Sequence, residues 1–134
     1  MKTAAAVLCL ALLFCLPVTA APVLNEAQTL ALARFCAETA PDAPLLVQMS
    51  LAAVMLNRLS DPAFPDTLDG NLALAGFACA PVRERDLAQC RWGVRCVLCG
   101  MDPTEGAVRW AKTGSAAAAR MSVTLQADGW CFGK

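Results

Sequence analysis

Histidine is absent from this chain, and so is tyrosine. Without histidine there is no Ser-His-Asp triad, no Cys-His pair and no HExxH or other histidine-ligated zinc site. An enzyme built on this sequence takes its acid–base group from a carboxylate. An excess of either charge is missing too, since 11 Lys and Arg balance 11 Asp and Glu. That balance leaves no electrostatic footprint for a nucleic-acid partner. Long apolar runs are also lacking. The first, Ala4 to Leu16, is thirteen residues long, whereas a bilayer span needs about 20.

That short run has a different meaning. Lys2 is the one charge before Glu26, and Val18-Thr19-Ala20 supplies a small-x-small ending. A charged start, a short apolar core and such an ending make a secretory signal peptide over residues 1–20. Residues 21–134 then form one exported domain of about 114 residues. With Lys2 removed, 10 basic and 11 acidic residues remain, for a net charge close to −1. The expectation is a secreted or wall-located monomer with no stable membrane insertion after cleavage.

Cys9 and Cys15 leave with the leader. Cys36, Cys79, Cys90, Cys96, Cys99 and Cys131 remain. Six cysteines in a small exported domain suggest up to three disulfides, with fifteen pairings open. Cys96-Val97-Leu98-Cys99 is a CxxC, but it falls late in an expected helix rather than at a helix start after a strand. A zinc site from Cys79, Cys90, Cys96 and Cys99 would have irregular spacing. Structural disulfides are the favoured reading, and no metal or cofactor is expected.

Asn25-Glu26-Ala27-Gln28 reads as a helix cap with its reciprocal glutamine. It predicts a first helix over Glu26 to Thr39, ended by Pro41 and Pro44. A second helix spans Leu45 to Leu59 and is apolar nearly all round, which marks a central, buried element. A short helix fits Thr67 to Ala75. A longer one fits Arg83 to Cys99, closed by Gly100. Ala116 to Ala119 continues as a short helical stretch. Around it, Ala107 to Trp110, the alternating Met121, Val123 and Leu125, and Trp130-Cys131-Phe132 read as strands. The fold class is α+β, helical first, with a small antiparallel sheet near the C-terminus.

The residues resemble the cell-wall hydrolase domain of bacterial spore cortex-lytic enzymes. Leu32-Ala33-Arg34 leading to Ala37-Glu38 is like that family's helix ending in its glutamate. Gln48-Met49-Ser50-Leu51-Ala52-Ala53-Val54-Met55-Leu56-Asn57-Arg58 is similar to its QVAVAAVILNR-type helix. Ser60-Asp61-Pro62-Ala63-Phe64-Pro65 matches its S-P-x-F-P loop with one extra residue. Phe77-Ala78 resembles a later F-S, and Gly100 to Ala107 resembles G-x-D-P-T-x-G-A. The matches lie in order over nearly all of residues 21–134. The resemblance implies a lysozyme-like, mostly helical fold that acts on peptidoglycan glycan strands. It also implies cleavage of the MurNAc–GlcNAc backbone, often by lytic transglycosylation. Three positions depart from the pattern. Glu38 is followed by Thr39-Ala40 instead of A-R, Trp130 stands where a histidine is usual, and a tyrosine is lost in Gly106 to Trp110.

By this resemblance Glu38 is the general acid/base. Cleaving a glycosidic bond requires a proton on the leaving oxygen, so the donor carboxyl must be neutral near pH 7. Apolar Cys36, Ala37 and Ala40 and the negative end of the first helix both favour the neutral form. A lytic transglycosylase needs one carboxylate, because the muramic C6 hydroxyl is the nucleophile. Asp42 is a candidate helper. Asp61, Asp66 and Asp69 read as a solvated loop rather than a calcium site. Asn57, with Arg58, is a candidate to orient Glu38 or the sugar. Phe77 and Trp110 are candidate sugar-stacking residues, weighed against an ordinary core role. The alternative function is a catalytically silent peptidoglycan-binding or regulatory module.

Overall fold

The structure is a computed structural model describing residues 22–134. The expected leader, with Cys9 and Cys15, lies outside the described residues.

Helix α1 runs over Glu26–Thr39. Asn25 Oδ1 accepts from the Gln28 amide at 2.8 Å, and the Asn25 amide donates to Gln28 Oε1 at 3.0 Å. This reciprocal pair satisfies two amides that the helix itself cannot. The helix ends ahead of Pro41, and Asp42 follows at φ 59°. Helix α2, Leu45–Arg58, is buried continuously from Val47 to Leu56. It has almost no solvent face, and α1, helix α4 (Glu84–Leu98) and the sheet pack around it. The short helix α3, Leu68–Leu74, leans on α1 and α2. Helix α4 closes as expected, with Gly100 N donating to Val97 O and Met101 N to Cys96 O, the Schellman arrangement.

Strand β1 (Arg109–Lys112), the single turn α5 (Ala116–Ala119), β2 (Val123–Ala127) and β3 (Trp130–Gly133) complete the chain. The sheet order is β1-β3-β2, antiparallel throughout. Asp128 and Gly129, at φ 48° and 81°, make the two-residue turn that matches strand twist in a tight hairpin. The last strand is therefore the middle one, and it is buried along its whole length. The alternation expected at Met121, Val123 and Leu125 is interrupted. A register shift between Val123 and Leu125 leaves Val123 44% exposed. Such a bulge places two residues opposite one and turns a side chain off the packed face. The expected α+β architecture is otherwise the one observed.

The cysteines do not follow the expectation of bridges. All six in the described residues are free thiols. Cys36, Cys90 and Cys131 are buried, and Cys79 and Cys99 are exposed. A buried free cysteine packs as a small apolar group, which is what Cys36 and Cys90 do in the core between α1 and α4. Burial pushes the Cys36 thiol well up, and the neighbouring Cys90 adds to this. Cys90 is pushed up to about 12 by burial and then by Asp86. The thiolate is the reactive form. Under reducing conditions at pH 8, native protein should therefore alkylate at Cys79 and Cys99 and spare Cys36 and Cys90. Denatured protein should alkylate at all of them. Equal native labelling of Cys36 and Cys79, read by peptide mass mapping, would contradict the buried placement.

Candidate active site

Glu38 lies in the last turn of α1 and is half-buried. Its carboxylate does not point into open solvent. Oε2 accepts from the Ala78 amide at 3.2 Å, and Oε1 accepts from the Ala80 amide at 2.8 Å. The segment that supplies these donors is set by the end of α3. There Gly76 adopts φ 76°, with Gly76 N bonded to Ala73 O and Phe77 N to Leu72 O. Only a residue free of a Cβ adopts that conformation cheaply. The turn sends Phe77 inward and brings Ala78 and Ala80 against Glu38. Between them Cys79, at φ 54°, turns the chain so that both amides address one carboxylate. The arrangement is exposed at Ala78 and Cys79, so a polymer can reach it from the surface.

An aromatic cluster backs this site. Phe35, one turn before Glu38 on α1, is buried. It packs edge-on to Phe77 at 6.2 Å and to Trp110 at 5.7 Å between ring centroids. Phe77 and Trp110 are both half-buried. The structure thus brings Glu38, Phe77 and Trp110 together through Phe35. Trp110 continues into a cavity of about 510 Å³, which it lines with Arg58, Arg109 and Arg120.

Asn57 is placed elsewhere. Its Nδ2 donates to Asp102 Oδ2 at 3.0 Å and to Ala107 O at 2.9 Å. It lines a different cavity of about 430 Å³ beside Ser60 and Lys134. Arg58 follows the same logic, with Nε donating to Val108 O at 2.8 Å. The Asn57-Arg58 pair therefore fastens the end of α2 to the chain entering β1. Its guanidinium carbon sits 4.3 Å from the Phe64 ring centroid and 4.6 Å from that of Trp110. This explains a phenylalanine in the loop after α2. Asp42 pairs with Arg83, which also pairs with Asp86 at 3.2 Å. The hydrogen bond from Arg83 holds the Asp42 carboxyl below its usual range, so Asp42 is suited to be an anion and not a proton donor.

Two residues that sequence reasoning left without a role organise the surroundings. Gln48 is 1% exposed and donates through Nε2 to Ala40 O at 3.1 Å, two residues after Glu38. Asp102 gathers four donors: Asn57 Nδ2 at 3.0 Å, Thr104 N at 2.8 Å, Thr104 Oγ1 at 2.6 Å and Gly106 N at 2.9 Å. The signal for Asp102 was its place in the Asp-Pro-Thr-x-Gly run. Burial raises its carboxyl, but the bonds from Thr104, Asn57 and Gly106 outweigh burial and leave it below the ordinary range.

A lowered folded value means that Asp102 stabilises the fold above the unfolded value, about 3.9. This contribution is lost as pH falls through the lower folded value. Asp102→Asn should lower stability at pH 7 by about 1–2 kcal/mol, after allowance for solvent screening. The gap to wild type should narrow at pH 2–3 in urea unfolding. A gap that stays constant with pH would contradict this origin.

Among the described residues no group of His, Cys, Asp and Glu is placed to hold a metal ion, and no helix is long and apolar enough to cross a membrane.

Comparison with known proteins gives a likeness of fold. The catalytic domain of the Bacillus cereus SleB protein superposes with a TM-score of 0.66 at 22% identity, covering 87% of this chain and 97% of that one. The catalytic domain of the germination-specific lytic transglycosylase SleB from Bacillus anthracis gives 0.68 at 20% identity, covering 89% and 100%. No family model matches the chain, and no curated protein matches it either. The resemblance to cortex-lytic enzymes read from the ordered motifs is thus met at the level of the fold, over almost the whole of each neighbour.

Proposed function

We propose that this chain is an exported peptidoglycan-cleaving enzyme, a lytic transglycosylase with Glu38 as its single acid/base. The observation that carries the reading is the half-buried Glu38 carboxylate held by the Ala78 and Ala80 amides beside an exposed stretch of chain. It stands in a fold shared with SleB catalytic domains. In this reading Glu38 protonates the glycosidic oxygen as the bond to C1 of MurNAc breaks. The C6 hydroxyl of the same sugar attacks C1, and Glu38 takes its proton. The product is a 1,6-anhydromuramic end, formed without water, metal or cofactor. The protonated carboxyl can keep its amide bonds, because an oxygen that donates its proton retains a lone pair to accept with. Phe77 and Trp110 offer ring faces to the sugars, and Asn57 acts on the glycan only beyond the Asp102 loop.

Export rests on the leader over residues 1–20, and residues 21–134 are the working domain, a monomer. Export would place the six cysteines of residues 21–134 where disulfides can form.

A second reading has its own support. Both Glu38 oxygens already accept a main-chain bond, as they would in a silent peptidoglycan-binding module. The two are separated by incubating the protein with purified peptidoglycan and analysing the soluble products by mass spectrometry. Anhydromuropeptides are the expected result. Sedimentation with peptidoglycan but no release across pH 4–8 would leave the binding module standing.

A further inference from the structure

The cavity beside Trp110 has an unusual charge balance. Three arginines line it, Arg58, Arg109 and Arg120, with Trp110, Leu74 and Met121, and no acid is among the lining residues. The ion pairs among the described residues involve Arg83 with Asp42 and Asp86, so none of these three arginines has a carboxylate. Arg58 is the telling one, at 8% exposed. Its Nε is used on Val108 O, and among the described residues neither terminal nitrogen has a protein acceptor. Its planar group is fixed between the Phe64 and Trp110 rings. Burial, and then repulsion from Arg109, draw it down to about 10. A buried charge is normally paired, because desolvation penalises it heavily. Here the protein adds a second cation beside it instead. An arginine held flat by stacking with its terminal donors free is preorganised for a two-oxygen anion.

We infer that this cavity is a subsite for a carboxylate carried by the muramoyl residue, either its lactyl group or its stem peptide. The inference rests on the peptidoglycan reading above and adds to it which part of the polymer is held where. The sugar backbone of peptidoglycan is uncharged, and its anionic oxygens are those of the muramoyl substituents. The cavity volume, about 510 Å³, is in the range that holds a small ligand group. Leu74 and Met121 suit an adjoining methyl, as in lactate or alanine. Trp110 joins this cavity to Phe35 and Phe77, and Phe77 precedes the amide bound to Glu38. A strand anchored by its carboxylate at the arginines is thereby led along the aromatic cluster towards the acid.

The test is calorimetric titration of the protein and of an Arg109→Gln/Arg120→Gln variant, both in a Glu38→Gln background to prevent turnover. Arg109 and Arg120 are exposed, so the variant retains the fold, which circular dichroism checks. Three probes of equal length are used: strands with tripeptide stems, peptide-free GlcNAc–MurNAc strands with a free lactyl carboxylate, and chitooligosaccharide with none. The variant should lose at least tenfold in affinity for one or both carboxylated probes and nothing for chitooligosaccharide. Binding of those probes by the protein with all its arginines should weaken as salt rises. The probe that suffers identifies the source of the carboxylate. Unchanged affinity for both, equal loss for chitooligosaccharide, or no binding of carboxylated probes would overturn the inference. Anhydromuropeptide release with arginine-independent binding removes this inference alone. Arginine-dependent binding without any release removes the lytic reading alone.

Discussion

Glu38→Gln should reduce release of anhydromuropeptides by about 10²–10⁴-fold, the range in which a positioned acid–base group contributes. The substitution keeps shape and removes the transferable proton. Its amide oxygen can still accept from the Ala80 amide, while the Ala78 amide, at the exposed end of the pair, turns to water. The melting temperature should therefore move little, by roughly 4 °C for each kcal/mol lost. Loss of activity with the fold kept identifies the carboxyl as the chemical group. Glu38→Asp, one methylene shorter, should fall between the two, because its carboxyl cannot reach as far beyond the helix end. Release by Glu38→Gln at the wild-type rate would move the chemistry to another residue.

Gln48→Ala should be the most destabilising single change near the site, by about 2–5 kcal/mol. Gln48 is buried in α2 and reaches two other elements. It donates to Ala40 O just past α1 and accepts from Gln89 Nε2 of α4 at 2.7 Å. Gln89 also donates to Ala43 O at 2.9 Å. Truncation opens a cavity, takes from the Ala40 carbonyl the shorter of its two bonds (the other comes from Ala43 N at 3.3 Å) and leaves Gln89 Nε2 with the Ala43 carbonyl alone. The melting temperature should drop by roughly 10–20 °C. The end of α1 carries Glu38, so activity measured below the melting transition should also fall, and fall in kcat more than in KM. Gln48→Leu fills the space but still removes both side-chain bonds, and should lie between wild type and alanine. A loss under 1 kcal/mol for Gln48→Ala, by urea unfolding, would show that the network does not hold the helix end.

Part of this was plain before any coordinates. The Asn25–Gln28 cap and Pro41 set the bounds of α1 because capping is a contact between near neighbours. The all-round apolar face of α2 announced a central helix because such a segment has nowhere else to go. Glu38 at the end of α1 followed from that same boundary. The outward turn of Val123 did not follow, since a bulge depends on how β2 meets β3 and not on either strand alone. The Asp128-Gly129 pair was a hairpin signal that the strand pattern overshadowed. The cysteine count pointed to bridges, while the fold used three of the thiols as core packing.

By itself, then, the sequence determined the helices, their order, the central one among them, the place of Glu38 at the end of the first, and the absence of any imidazole chemistry. These rest on local capping, periodicity and composition, which neighbouring residues decide among themselves. Only the tertiary structure decided which groups meet Glu38. Its partners are main-chain amides forty residues away, and an amide is the same in every residue, so no side chain advertises it. Only the tertiary structure, likewise, set Asn57 on Asp102 and Arg58 between two rings. Those pairings close over long stretches of chain, and packing of the whole core selects them.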